Sequence, residues 1–299
     1  MSRAVLVDTT LCTGCRGCQV ACKRNNNLPP EPTTFFAGPG GYQNPARLSA
    51  KTYSLVTFNE IDDAGPDPKW IFARKQCMHC VDPACASACL VGALTKMDDG
   101  SVAYDEGKCI GCRYCQLVCP FAIPALEWEK QVALIRKCTF CSERKGYDMP
   151  QVLNEGHSSQ DELDEDRRKM HVAGRRTPSC VSVCPTGAMV YGERDELVRE
   201  AKRRIFRSPD KYVNHIYGEK EAGGTAWMYL SAVPFDKLGF PTGLGERSFP
   251  SYTNAAMGVV APQVLGVGAL LGGFYWFTRR RNEVAEAEAE AEDRAGEGE

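Results

Sequence analysis

The sequence predicts an α+β protein of two related cysteine-bearing units, with hairpins inserted between their motifs and one membrane-crossing helix at the C-terminal end. Three observations predict it. Sixteen cysteines fall into four runs of four with none left over: Cys12/Cys15/Cys18/Cys22, Cys77/Cys80/Cys85/Cys89, Cys109/Cys112/Cys115/Cys119 and Cys138/Cys141/Cys180/Cys184. Short segments of β-forming residues alternate with these runs. Residues 255–277 carry no charge, and only Gln263 among them is strongly polar.

The third run is C-x2-C-x2-C-x3-C-P, the spacing by which bacterial ferredoxins hold [4Fe–4S] clusters, and the first repeats it without the proline. Two residues between cysteines let a tight turn aim three thiolates at one cubane while backbone N–H groups face its sulfurs. Gly14, Gly17 and Gly111 permit the bends. In two-cluster ferredoxins the fourth cysteine of one run ligates the cluster of another, so runs work in pairs. The second and third runs lie close in sequence and form one ferredoxin-like unit. Cys77, Cys80, Cys85 and Cys119 are thereby assigned to one cluster, and Cys109, Cys112, Cys115 and Cys89 to its neighbour. By elimination the first and fourth runs pair across the chain. Cys12, Cys15, Cys18 and Cys184 then hold a third cluster, and Cys138, Cys141, Cys180 and Cys22 a fourth.

Two other readings use many cysteines. Structural zinc employs two C-x2-C pairs across a knuckle-sized gap, a sparser pattern than these runs. Disulfide frameworks serve chains too small to bury a core, whereas 299 residues are ample. The zinc alternative corresponds to a membrane-tethered interaction module, and metal analysis separates it from an electron carrier.

The net charge of −2 conceals an asymmetry. Residues 283–299 hold eight acidic residues against Arg294, so residues 1–282 carry +5. Much of the positive charge flanks the cysteine runs, at Arg16, Lys23, Arg24, Arg74, Lys75, Lys108, Arg113, Arg136, Lys137, Arg144 and Lys145. Thiolate-wrapped clusters are anionic, so adjacent cations favour the reduced form. For any one of these residues a plain solvated surface is the competing reading.

Residues 3–7 read as a strand leading directly to Cys12, which leaves no space for a signal peptide. The insertion 23–76 opens as an Asn-, Pro- and Gly-rich loop and continues as two β segments, 53–60 and 70–75, expected to form a hairpin over the cluster core. A further strand is expected at 101–104 after the turn residues Asp98–Gly100. The insertion 142–179 contains the charge run 161–169, to which no chemistry is assigned. Residues 194–206 place Leu197, Val198, Ala201, Ile205 and Phe206 at helical spacing with a basic outer face. The expected divisions are a four-cluster domain at 1–192, a helical and extended docking segment at 193–254, the membrane helix at 255–277 and a basic then acidic tail at 278–299.

At 1.5 Å per residue, residues 255–277 span about 34 Å, enough for a bilayer core. Tyr275 and Trp276 fall where interfacial aromatics sit, and Arg279, Arg280 and Arg281 follow, against Arg247 alone on the other flank. The positive end is expected to stay in the cytoplasm, leaving the cluster domain on the outer, periplasmic side of the cell inner membrane. Gly268 and Gly272 form a GxxxG that suits a partner helix. Clusters are built in a reducing compartment, so the domain is expected to cross folded, beside a partner that carries the export signal.

The CMHC at 77–80, CPFAIP at 119–124, KCTFC at 137–141, CPTGA at 184–188, GGTAWMY at 223–229 and the segment 42–58 accompany the four runs. With them the chain resembles, from Leu6 to Arg281, the iron–sulfur (beta) subunit of respiratory formate dehydrogenase. The runs alone also occur in four-cluster subunits of other molybdopterin oxidoreductases and membrane hydrogenases. The resemblance implies the ligand exchange described above. It also implies a wire of four [4Fe–4S] clusters from a molybdenum- or tungsten-pterin catalytic subunit to a cytochrome b subunit that reduces quinone. Leu90 and Lys23 depart from the family pattern beside the second and first runs, and the 142–179 insertion is longer than the resemblance predicts.

Nothing in the sequence has the pattern of a catalytic site, and no nucleic-acid partner is expected. GVGALLGG at 266–273 lies inside the membrane helix and does not read as a phosphate loop. His79, His157, His171 and His215 are scattered, and His79 reads as a packing or hydrogen-bonding residue because the sulfur set is complete without it.

Overall fold

A computed structural model describes residues 2–34, 42–61, 69–130, 133–142 and 177–296. The charge run 161–169, Arg144, Lys145, His157 and His171 lie outside the described residues. The chain divides into two units, Met1–Pro250 and Ser251–Glu299.

At the centre of the first unit is β1 (Arg3–Asp8), whose Ala4–Asp8 are all buried. A strand buried on both faces reads as a continuous apolar run, and Ala-Val-Leu-Val is one. It pairs antiparallel with β8 (Met189–Glu193) and parallel with β9 (Trp227–Leu230). The registers Val7↔Met189 and Val7↔Tyr229 place β1 as the middle strand. Because Cys12 follows β1 and Cys184 precedes β8, this antiparallel pairing brings the first and fourth runs together. The Asp8 N–H donates to the Ala188 carbonyl at 2.7 Å and closes the join.

Three hairpins carry the remaining runs. β2 (Ser54–Ile61) pairs with β3 (Lys69–Gln76) over eight residues, Ser54↔Gln76 to Ile61↔Lys69. This is the hairpin expected within the first insertion. β4 (Leu94–Lys96) pairs with β5 (Val102–Tyr104), with the turn at Asp98–Gly100, so Cys89 before it and Cys109 after it become neighbours. β6 (Ala125–Leu126) pairs with β7 (Ile135–Arg136) between the third and fourth runs.

Residues 193–250 belong to the core of this unit. Trp227, Met228, Tyr229 and Leu230 of β9 are fully buried, and the Ala226 N–H donates to the Met78 and His79 carbonyls at 3.1 Å. The GGTAWMY segment therefore supports the second cysteine turn directly. Gly218 makes the close approach possible: its φ is +90°, and a Cβ there would lie 2.3 Å from the Trp227 carbonyl oxygen.

The helix expected at 194–206 spans Arg194–Arg207, the fifth in chain order. It follows α1 (Gly17–Asn25), α2 (Ala84–Ser87), α3 (Tyr114–Leu117) and α4 (Ser179–Ser182), and is α5. Asp195 and Glu196 sit in its first turn and Arg204 and Arg207 in its last, each favourable to the helix dipole. Leu197 and Ala201 are buried against the sheet, whereas Phe206 is 87% exposed. Nine residues beyond Leu197, at about 100° each, Phe206 points to the opposite face.

The second unit is helical. α6 (Phe249–Gly258) and α7 (Val260–Gly296) are separated at Val259. Pro262 accounts for the break, since it cannot donate to the carbonyl four residues earlier and its ring crowds that carbonyl. Residues Phe249–Glu290 form one candidate membrane span by length and composition, and none of the apolar window is buried within the protein.

Asp8 ties α5 to the sheet. Its buried carboxylate accepts from the Thr10 N–H at 3.0 Å, the Thr10 hydroxyl at 2.6 Å, Arg204 Nη1 at 3.2 Å and the Tyr212 hydroxyl at 2.8 Å. Asp8→Ala should destabilise the protein by about 3 kcal/mol, the lower end for breaking a buried ion pair because Arg204 keeps Glu200 at 2.8 Å. Anaerobic urea unfolding of the iron-loaded protein measures the change; an unaltered midpoint and slope would show that the network contributes nothing to stability.

Candidate iron–sulfur sites

Each run begins with a C-x-x-C turn, and each turn bends at the same place. The residue before the second cysteine has positive φ in all four: Gly14 at 67°, His79 at 49°, Gly111 at 70° and Phe140 at 59°. Glycine adopts this conformation without steric cost, whereas His79 and Phe140 take it at about 1–2 kcal/mol each. Both are buried, and their rings lie 4.8 Å apart between centroids. Gly17 does not act as a bend; it begins α1. The second bend falls on Arg16 (φ 60°) and, at the equivalent place in the third run, Arg113 (φ 68°). Each arginine precedes a helix and lies over an aromatic ring, Arg16 on Phe58 at 4.6 Å and Arg113 on Trp128 at 4.4 Å.

The structure brings thiols from different runs together, and two cavities are each lined by four of them. Cys12, Cys15, Cys18 and Cys184 line one cavity, called site I, together with Arg74, Val56 and Met189. Cys89, Cys109, Cys112 and Cys115 line another, site IV, with Leu94 and Ile135 at its floor. Cys180 has Cys141, Cys22 and Cys18 as electrostatic neighbours, and Cys138 has Cys22, Cys77 and Cys180; Cys22, Cys138, Cys141 and Cys180 are called site II. Cys80 has Cys77, Cys119 and Cys85 within electrostatic reach, and these make site III. Each set takes three cysteines from one pair of turns and one from elsewhere.

A cavity lined by thiols suits a polynuclear iron group, and the sulfur-only donor set suits iron or another soft metal. Among the described residues no three His, Cys, Asp or Glu side chains gather closely enough to hold a single metal ion. Burial pushes the free thiols up, to about 11 for Cys12 and Cys115 and about 12 for Cys85 and Cys180. Loading the sites therefore releases protons, because metals bind thiolates. Backbone N–H groups already point at the sulfurs: Ala93 donates to Cys89 Sγ at 3.2 Å and Phe140 to Cys138 Sγ at 3.4 Å. Asn25 and Asn26 reach Cys141 Sγ and Cys22 Sγ at 3.6 and 3.7 Å, a role that the reading of this Asn-rich stretch as a loop missed. The signal available was their place one turn beyond Cys22.

The flanking cations divide into two kinds. Arg136 pairs with Glu106 at 2.7 Å and Glu127 at 3.0 Å, and Lys23 with Glu31 at 2.9 Å, near the surface. Arg74 and Lys137 are buried, and Lys137 Nζ donates to the Val102 and Cys138 carbonyls at 2.5 and 3.2 Å. Lys96 Nζ donates to the Cys80 and Gly100 carbonyls, both at 2.8 Å.

His79 is a structural residue here. Its Nδ1 accepts from the Val102 N–H at 2.8 Å, joining the second run to β5. Burial, with Lys137 and Lys96 nearby, holds its pKa well below the ordinary 6.5, so the ring is neutral.

Comparison with known proteins agrees with this geometry. Residues 68–156 match the family described as a 4Fe–4S dicluster domain. The chain is 43% identical over 293 residues to a protein of Nitratidesulfovibrio vulgaris, covering 97% of this chain and 70% of that one. It is 32% identical to the hydrogenase-2 operon protein HybA of Escherichia coli O157:H7, over 80% of this chain and 73% of the relative. With the iron–sulfur subunit of the nitrate-inducible formate dehydrogenase of Escherichia coli K12 it shares 34% identity, over 76% and 67%. Fold and sites define a 4Fe–4S ferredoxin-type protein of mixed α and β structure, an electron carrier. The chain belongs to the family of iron–sulfur subunits of formate dehydrogenase and hydrogenase-type complexes, which carry electrons and are not the catalytic subunits.

His79 gives a pH test with a definite sign. A depressed folded pKa means that stability present above pH 6.5 is lost as the pH falls, since the unfolded chain takes up the proton first. His79→Asn keeps an acceptor for Val102 and tolerates positive φ, so it should flatten this acid-side loss. His79→Leu strands the buried Val102 N–H and should cost about 1–3 kcal/mol at neutral pH. Urea midpoints between pH 5 and 8 read both effects; identical pH slopes in wild type and His79→Asn would refute the assignment.

Proposed function

We propose that the chain relays electrons through four [4Fe–4S] clusters, from a formate-oxidising molybdenum- or tungsten-pterin subunit to a membrane cytochrome b that reduces quinone. The observation that carries this reading is that two cavities are each lined by four cysteines, three from one run and the fourth from another. When bound, each cluster supplies a one-electron carrier.

The chain's own contribution is the order and insulation of the sites. Arg74 has Cys18 of site I and Cys22, Cys138 and Cys180 of site II within reach. Cys138 of site II feels Cys77 of site III, and Cys85 of site III feels Cys115 of site IV. The sequence of neighbours is thus I, II, III, IV. Cys15 at one end and Cys112 at the other are exposed, while all four cysteines of site II are buried. Leu90, Ile110 and Leu117 are exposed apolar residues on the runs that build site IV, a surface suited to a protein partner. The non-cysteine segments resembling formate dehydrogenase favour formate as the donor. The second reading, a hydrogenase-type complex, is favoured by the 80% coverage by the hydrogenase-2 operon protein. Identifying the copurifying large subunit decides between them.

Anaerobically purified protein should contain about 16 irons per chain, four from each of four clusters, with a broad brown absorption bleached by dithionite. Cys22→Ser should disturb the cluster held by Cys138, Cys141 and Cys180 and spare the one held by Cys12, Cys15, Cys18 and Cys184. Eight irons or fewer, mainly zinc, or EPR damage confined to the latter cluster would sink the assignment.

The apolar helix anchors the chain in the membrane with Arg279–Arg281 inside and the cluster domain outside. Gly268 and Gly272 leave an open face for a partner helix. Protease added to spheroplasts should reach residues before 250, while a reporter fused at the C-terminus should behave as cytoplasmic. Full protection of the cluster domain would reverse the orientation.

A further inference from the structure

Arg74 stands on β3 opposite Val56, three residues before Cys77, and is 3% exposed. Among the described residues its Nε, Nη1 and Nη2 meet no hydrogen-bond acceptor, although a guanidinium carries five donors and a permanent charge. Lys137, the other buried cation beside the sites, is satisfied by two carbonyls. One face of Arg74 is covered by Trp227, with Cζ 4.5 Å from a ring centroid, and its backbone is held by the Tyr229 hydroxyl donating to its carbonyl at 2.9 Å. The side chain also lines the cavity of site I. Cys180, Cys18, Cys138 and Cys22, drawn from sites I and II, are its electrostatic neighbours. A buried charge of this kind demands an anionic partner, and the described residues around it supply only thiols.

We infer that Arg74 is a positioning cation shared by sites I and II, whose unpaired guanidinium donors serve the sulfurs bound at both and hold the two reduction potentials up together. The inference rests on the four-cluster reading. Its physical basis is that net charge and hydrogen bonds to sulfur set cluster potentials. A cation between two neighbouring sites eases reduction of both and offsets the repulsion between them when both are reduced. Trp227 and Tyr229 keep the guanidinium in place, which links β9 to the redox behaviour of residues far away in sequence.

The test compares Arg74→Gln, which removes the charge, with Arg74→Lys, which keeps it, in the full chain purified anaerobically with its complex. Iron is counted first: a full count in the unmodified chain tests the four-site reading independently of any potential. In EPR-monitored titrations, Arg74→Gln should make two of the four clusters at least tenfold harder to reduce, about 59 mV for a one-electron couple. The other two should stay put, and Arg74→Lys should shift all four by less than threefold. Full iron with unchanged potentials in Arg74→Gln, or an equal shift at all four clusters, overturns the inference. Where Arg74→Gln fails to hold iron, wild-type protein labelled with guanidinium-¹⁵N arginine is compared with Arg74→Lys. Nitrogen hyperfine coupling at two cluster signals, lost in Arg74→Lys, supports the shared contact; its absence from wild type overturns it.

Discussion

The antiparallel pairing of Arg3–Asp8 with Met189–Glu193 is the constraint on which the rest of the structure depends. It joins the strand that enters the first cysteine run to the strand that leaves the last one. Without it the first and fourth runs are separate loops. With it, Cys184 stands beside Cys12, Cys15 and Cys18, and Cys22 beside Cys141 and Cys180. Contacts this distant along the chain carry a large loop-closure cost. Burial of β1 between β8 and β9, and the Asp8–Arg204–Tyr212 network, offset that cost.

The four C-x-x-C turns share one backbone solution in two chemical versions. In the first and third runs a glycine supplies positive φ, and the loop stays thin and open, with Cys15 and Cys112 exposed. In the second and fourth runs His79 and Phe140 occupy the same conformation with large side chains. Those side chains are buried against each other, where His79 also accepts from Val102 and Phe140 meets Trp227 edge-on at 5.9 Å. Glycine stands beside the exposed cysteines and bulk where the turn residue itself is buried. Exclusion of water is greatest where the sites lie deepest, and solvent exposure is one of the determinants of cluster potential.

Charge divides in the same way. Surface cations such as Arg136 and Lys23 find carboxylates, and their pairs are individually weak. Arg74, Lys137 and Lys96 instead face carbonyls and thiols inside the protein. Burial keeps the free thiols protonated, so the buried cations gain their full counter-charge when thiolates and their metal group are in place. Stability and cluster loading are for that reason coupled in this fold.

Much of this was legible in the sequence because it was written in local spacing. Cysteine intervals depend on the reach of one turn, the hairpin 54–76 on two β-rich segments, the helix from Arg194 on its apolar period, and the apolar C-terminal helix on length and absence of charge. Other features depend on residues brought together from far apart, and no local pattern records them. Phe206 fits a loose helical count yet lies on the far face from Leu197. Residues 193–254 read as a helical and extended docking segment, and within them β9 places Trp227 and Tyr229 in the core. Arg74 was one basic residue among eleven beside the runs. The sequence by itself determined which residues can hold iron, since that depends on side-chain chemistry and short-range geometry. Only the tertiary structure decided which of the flanking cations is buried beside the thiols without a hydrogen-bond acceptor, because this depends on long-range strand pairing and on the exclusion of water that it brings.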